Sequence, residues 1–107
     1  MTTDRGRPTY KLEELWAALE AEEFRFQRPA WESYLAWDWT EIDACDCLRS
    51  LSNRTFVKSM IGRDFEGWHD VHKAEWKGRR VYIHFCRSTA DGSFIIAALK
   101  ADTDFDY

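Results

Sequence analysis

The 107-residue chain is poor in the residues that punctuate or staple other kinds of protein: it has five glycines, two prolines and three cysteines. No Pro/Gly-rich linker, low-complexity tract or internal repeat divides it, which leaves one domain with one hydrophobic core. No apolar run approaches the ~20 residues of a membrane helix. The opening MTTDRGRPTY offers no apolar stretch for export, so the cytoplasm is the expected compartment. Cys45, Cys47 and Cys86 are odd in number and their spacing is not that of a zinc knuckle, which excludes a disulfide framework and fits ordinary free thiols in a reducing compartment. There is no P-loop, no G-x-G-x-x-G and no G-x-S-x-G, so dinucleotide-dependent and serine-hydrolase chemistry lose their usual support. What the chain does have is bulk: aromatics make up 16% of it, including six tryptophans, enough to fill a small core or to stack on bases.

The net charge of −4 ordinarily counts against a nucleic-acid binder, but it is unevenly spread. Residues 1–53 carry −5, residues 54–100 carry +4 and the tail from 101 carries −3. A basic segment thus lies between an acidic front and an acidic end.

Leu12, Leu15, Trp16 and Leu19 recur at helical spacing among glutamates and predict an amphipathic helix over about 10–23. Phe24 and Phe26 read as a short connection. Pro29 suits the first turn of a small helical segment carrying Trp31, Tyr34 and Leu35. Thr40, with Asp43 three residues on, reads as a shortened capping box for a helix burying Ile42, Cys45 and Leu48. The period then changes to two. Strands are predicted at 55–60, with Phe56, Lys58 and Met60 on one side, at 67–72, at 79–87 and at 93–100. In the third, Val81, Ile83 and Phe85 oppose Tyr82, His84 and Cys86; Lys77-Gly78 and Asp91-Gly92 are turn signals. Helices first and antiparallel strands afterwards make an α+β domain, its helices packed on one face of a sheet of about four strands. Residues 1–8 and 101–107 read as flexible tails on this domain.

Lys58, His69, Tyr82 and Lys100 fall one on each proposed strand. Each has a bland reading, a solvated edge lysine, a packed tyrosine or a satisfied histidine, and only their convergence would make a site. Metal binding is weaker: His69 and His72 point to opposite faces of a strand, and His84 with Cys86 supplies two ligands where a tetrahedral site needs four.

The second half nevertheless resembles a known family. Phe56-x-Lys58-Ser59-Met60, then Trp68-x-Asp70-Val71, then Gly78-x-x-Val81-Tyr82-Ile83 and a closing apolar strand ending in Lys100 are similar to the MqsR toxins of type II toxin–antitoxin systems. The resemblance covers about 48–100 and is faint before it. It implies a RelE-like fold over 1–107 and ribosome-independent cleavage of single-stranded mRNA, held off by a cognate antitoxin, with no metal and no cofactor. It also implies that Lys58, His69, Tyr82 and Lys100 form the catalytic site. In that reading a ribose 2′-OH attacks the adjacent phosphorus. Lys58 and Lys100 stabilise the charged oxygens, on the order of ~3 kcal/mol per well-placed donor, His69 acts as acid–base, and Tyr82 donates a proton or orients the phosphate. Arg79, Arg80 and Arg87 are expected along the RNA backbone, and Trp68 or Trp76 against a base.

Three departures qualify the resemblance. Position 69 is commonly glutamine in the family, members are typically basic, and the segment from Trp31 to Trp39 has no clear counterpart. The competing expectations are a non-catalytic RNA-binding or antitoxin-interaction module on the same fold, and a partner-binding protein anchored by Trp31, Trp37 and Trp39.

Overall fold

In the computed structural model, which describes residues 4–61 and 67–103, the leucine stripe of the first segment forms α1 (Leu12–Glu20), burying Leu15, Ala18 and Leu19 and leaving its glutamates in solvent. The helix is shorter than the 10–23 of its periodicity. At its start the Thr9 and Tyr10 N–H groups donate to the Asp70 carboxylate instead of opening a helical turn. At its end Glu22 takes a left-handed φ of 58° and redirects the chain.

That redirection produces β1 (Phe24–Phe26), the short segment expected as a connection. It runs parallel to the last strand, Phe24 opposite Phe94 and Phe26 opposite Ile96. Three residues are too few for an alternating pattern to show, so the strand is visible only in its pairing. Next comes α2 (Arg28–Ala36), with Pro29 in its first turn. α3 (Glu41–Arg49) follows, where Thr40 and Asp43 form the expected reciprocal capping box.

β2 (Phe56–Ile61), β3 (Trp68–Trp76), β4 (Arg79–Arg87) and β5 (Phe94–Ala101) complete the chain. The sheet has five strands in the order β1-β5-β4-β3-β2, against about four expected, and every pair except β1–β5 is antiparallel. β3 and β4 are joined by a two-residue turn in which Lys77 and Gly78 have φ of 49° and 75°. That pair of positive φ values matches the right-handed twist of the flanking strands, and a glycine bears the second at no steric cost.

Packing separates the two faces of the sheet. Val81, Ile83, Phe85, Phe94, Ile96 and Leu99 enter one core cluster with Leu15, Tyr34 and Leu48 from the three helices. All helices therefore lie on one face, and the opposite face carries none among the described residues. A bulge between Phe56 and Lys58 decides what β2 contributes to each. Phe56 sits opposite His72 on the helix side, whereas Lys58 and Met60 sit opposite Val71 and His69 on the open side. The uniform parity expected for Phe56, Lys58 and Met60 is broken because the bulge inserts one extra residue.

The first residues are not a loose end from Asp4 onward. Arg5 and Ser59 exchange backbone hydrogen bonds of 2.7 and 2.8 Å, which lays this segment along the outer edge of β2. At the other end, the Asp102 N–H donates to the Arg80 carbonyl at 2.9 Å and its carboxylate lies 3.5 Å from Lys73 Nζ. Asp104 and Asp106, the rest of the acidic tail, lie outside the described residues, as does the polar loop around Gly62.

Candidate functional site on the open face of the sheet

The open face gathers the four strand residues singled out in the sequence. Two rungs define it. Lys58, Val71, His84 and Ala98 stand opposite one another across β2, β3, β4 and β5; Lys73, Tyr82 and Lys100 form the next rung. His69 lies two residues from Val71 and therefore shares their face. Its imidazole meets that of His84, with the two Nδ1 atoms 3.0 Å apart. His84 in turn stands edge-on to Tyr82 with ring centroids 5.9 Å apart, and Lys100 Nζ lies 5.1 Å from the centre of the Tyr82 ring. His69, His84, Tyr82 and Lys100 thus form a continuous row. Lys58 flanks it from β2, its ammonium held 3.0 Å from the Asp4 carboxylate.

The row is graded in exposure. Lys100 is exposed, and Lys58, Tyr82 and His84 are partly so. His69 is 1% exposed and forms the floor. Burial, then the neighbouring His69 and Lys100, lowers the pKa of His84 to about 4, so its imidazole is neutral at pH 7.

The five residues expected along the RNA do not share this face as a group. Trp76 packs into the core against Trp39, ring centroids 5.0 Å apart, and the Arg79 guanidinium sits 4.8 Å over Trp37. Trp68 is covered by the Arg5 guanidinium at 3.6 Å, while its carbonyl accepts from the Tyr10 hydroxyl at 2.7 Å. Arg87 donates to the Gly92 carbonyl at 2.9 Å and approaches Glu14 of α1 at 3.5 Å. Arg80 alone of the five has the parity of Tyr82 and His84 and is exposed. The other four lie on the opposite parity, a distinction that charge and aromaticity cannot make.

The reverse face holds a cleft of about 940 Å³ lined in part by Tyr10, Trp16, Phe56 and His72. The sheet separates it from the lysine–histidine row. His72, 2% exposed, bonds Thr55 Oγ1 at 2.8 Å and stacks on Phe85 with centroids 5.7 Å apart. Its burial lowers its pKa to about 4 despite Asp70 nearby. The three cysteines are buried free thiols; burial pushes Cys47 up to about 12 and Cys45 and Cys86 to about 11, which leaves them protonated and unreactive. Among the described residues no three His, Cys, Asp or Glu side chains cluster as metal ligands.

Two participants are visible in sequence only by parity or not at all. His84 shares a face with Tyr82 two residues away, but in sequence its one evident pairing is with Cys86, as a partial metal site. The Asp4–Lys58 pair has no sequence signature, because it depends on the amino-terminal segment reaching the edge of β2.

A helix-backed, largely antiparallel sheet with a lysine–tyrosine–histidine row on its open face defines a small α+β protein. The family model described as "Motility quorum-sensing regulator, toxin of MqsA" matches residues 7–98. The chain belongs to this MqsR toxin family, and so to the toxins of toxin–antitoxin systems. The match includes α1, α2 and α3, where the sequence resemblance is faint. No curated protein matches the chain. No helix among the described residues is long and apolar enough to cross a membrane.

Proposed function

We propose that the protein is an mRNA interferase: a ribosome-independent endoribonuclease that cleaves single-stranded mRNA and is restrained by a cognate antitoxin protein in the cytoplasm. The observation that carries this reading is the row itself. Lys58, His69, Tyr82 and Lys100 share one sheet face with no helix over it among the described residues, so a phosphate can approach from the open side.

The reaction needs no group beyond these. A ribose 2′-oxygen loses its proton to an imidazole and attacks the adjacent phosphorus; the bond to the 5′-oxygen breaks, leaving a 2′,3′-cyclic phosphate and a 5′-hydroxyl. Negative charge grows on the non-bridging oxygens as the phosphorus becomes five-coordinate. The Lys100 and Lys58 ammoniums supply the complementary charge, and Tyr82 lies between Lys100 and the imidazoles to orient the phosphate or protonate the leaving oxygen. Arg80, on the same face, extends the positive field along the RNA backbone.

Lys100→Ala and Lys58→Ala test this reading when cleavage and binding of a labelled single-stranded RNA are followed together. The expected result is a loss of ~10²-fold or more in cleavage for Lys100→Ala, the scale of one transition-state donor, with binding reduced only a few-fold. Equal losses in both would instead support a non-catalytic RNA-binding module on this fold.

A further inference from the structure

We propose that the imidazole that meets RNA is that of His84, and that His69 is the positioning residue behind it. The inference rests on the ribonuclease reading and deepens it by naming the proton-accepting atom.

Three observations carry it. The first is exposure. His69 is 1% exposed, whereas His84 is partly exposed and flanked on the open face by Tyr82, with Lys100 one rung away. A ring that is enclosed on all sides cannot reach a ribose hydroxyl. The second is the Nδ1–Nδ1 distance of 3.0 Å, which requires one ring to donate and the other to accept. With His84 as donor, its Nδ1 carries the proton and its Nε2, at the far side of the ring, is the bare base. His69 then holds the tautomer and steadies the cation that forms, as the carboxylate does behind the histidine of a serine protease. The third is the electrostatic surround. Among the described residues of β2 to β5, the charged or titratable groups on the face of His84 are Lys58 from β2, His69, Lys73 and Glu75 from β3, Arg80, Tyr82 and Cys86 from β4, and Lys100 from β5. The acids near this frame among the described residues accompany its outer cations, Asp4 at Lys58, Asp102 at Lys73 and Glu75 opposite Arg80. Burial, and then His69 and Lys100 beside it, keeps His84 in its base form, and an arriving phosphate offsets the positive charge around it.

In the proposed step the 2′-OH proton passes to His84 Nε2 while the 2′-oxygen bonds to phosphorus. The P–O5′ bond breaks, and the 5′-oxygen takes a proton from the Tyr82 hydroxyl or from water. His84, now cationic, keeps its Nδ1–H bond to His69 until Nε2 returns its proton to the phenolate or to solvent.

The experiment pairs RNA cleavage with the histidine ¹⁵N spectrum of the full chain. His84→Ala is expected to lose ~10²-fold or more in kcat with RNA binding held within about three-fold, the range of a lost acid–base group. His69→Asn, whose amide oxygen can accept the same Nδ1–H, is expected to stay within about ten-fold of wild type. His69→Leu, which cannot accept it, is expected to fall further and to shift the acid limb of the kcat/KM profile. In the spectrum, His84 is expected as the Nδ1–H tautomer, and that signature is expected to persist in His69→Asn and to vanish in His69→Leu. Near-wild-type cleavage by His84→Ala, with His69→Asn inactive, would overturn the assignment and return the base to His69. So would His84 found with its proton on Nε2. Uncut RNA with folded wild-type protein would instead overturn the ribonuclease reading, and the ¹⁵N tautomers would still report which ring donates.

Discussion

His72 shows how one buried side chain sets a pH dependence for the whole protein. Its pKa is lowered to about 4 by burial, and the unfolded chain restores it to about 6.5. Between those values the unfolded state binds a proton that the folded state refuses, so stability is complete above pH 6.5 and declines as pH falls toward 4. A shift of that size corresponds to roughly 3 kcal/mol, and His84, lowered for similar reasons, acts in the same direction. His72→Phe keeps an aromatic ring against Phe85 and Phe56 and removes the proton. Urea unfolding at about pH 7 and about pH 4.5 should show a smaller loss for this variant than for wild type; equal losses would mean that His72 does not contribute. The residue scale is also where sequence reading is weakest. His69 and His84 are both lone histidines in strands, and nothing in their neighbours says that one is enclosed or that their Nδ1 atoms meet.

At the scale of elements, α3 and the β3–β4 turn are coupled through one carboxylate. Asp43 accepts the Thr40 N–H at 2.9 Å and also lies 2.8 Å from Lys77 Nζ in the hairpin. The Lys77 ion pair and the Thr40 N–H both lower its pKa, so it stays ionised. Thr40→Ala should cost about 1 kcal/mol of stability, the usual scale of a lost N-cap, read as a fall in the denaturation midpoint at neutral pH. This cap was legible in Thr40-x-x-Asp43, as were the parity of β4 and the Lys77-Gly78 turn, because each is written within a few consecutive residues. The fifth strand was not, since Phe24–Phe26 becomes a strand only by pairing with β5 seventy residues away in sequence. The β2 bulge was hidden for a related reason: an extra residue in a strand is defined by its partner.

The amino-terminal segment matters at the same scale. By pairing with Ser59 it brings the Asp4 carboxylate onto Lys58, the ammonium that the proposed reaction assigns to a phosphate. Asp4→Ala should therefore raise affinity for single-stranded RNA by a few-fold at low salt, an effect that fades as salt screens the exposed pair. Unchanged affinity at low ionic strength would show that the carboxylate does not compete.

For the molecule as a whole, the distribution of charge matters more than its sum. The net charge of −4 includes the glutamates of α1, which face solvent on the helix side, while Lys58, Lys73, Arg80 and Lys100 collect on the open face beside Asp4, Glu75 and Asp102. Segment-by-segment counting detects the basic half but cannot assign it to a face. Arg79 and Arg87, equally basic in sequence, turn to the helix side by strand parity, and Trp76 is drawn into the core. The resemblance to MqsR toxins, carried on Phe-x-Lys-Ser-Met and Trp-x-Asp-Val, extends in the family match to the helices whose own motifs are weak. Asp70 of the second motif has a plain structural role. Its buried carboxylate accepts the Thr9 and Tyr10 N–H groups at 2.9 to 3.0 Å and anchors the chain ahead of α1.

The central claim is that the open face of this sheet cuts RNA with its own side chains. The most direct measurement is end-group analysis of a labelled single-stranded mRNA incubated with the purified protein, with EDTA present and ribosomes absent, beside Lys100→Ala. Discrete fragments ending in 2′,3′-cyclic phosphate and beginning with 5′-hydroxyl, lost in the variant, are the predicted result. Intact RNA with the folded wild-type protein, or fragments of the same ends and yield from the variant, would contradict it.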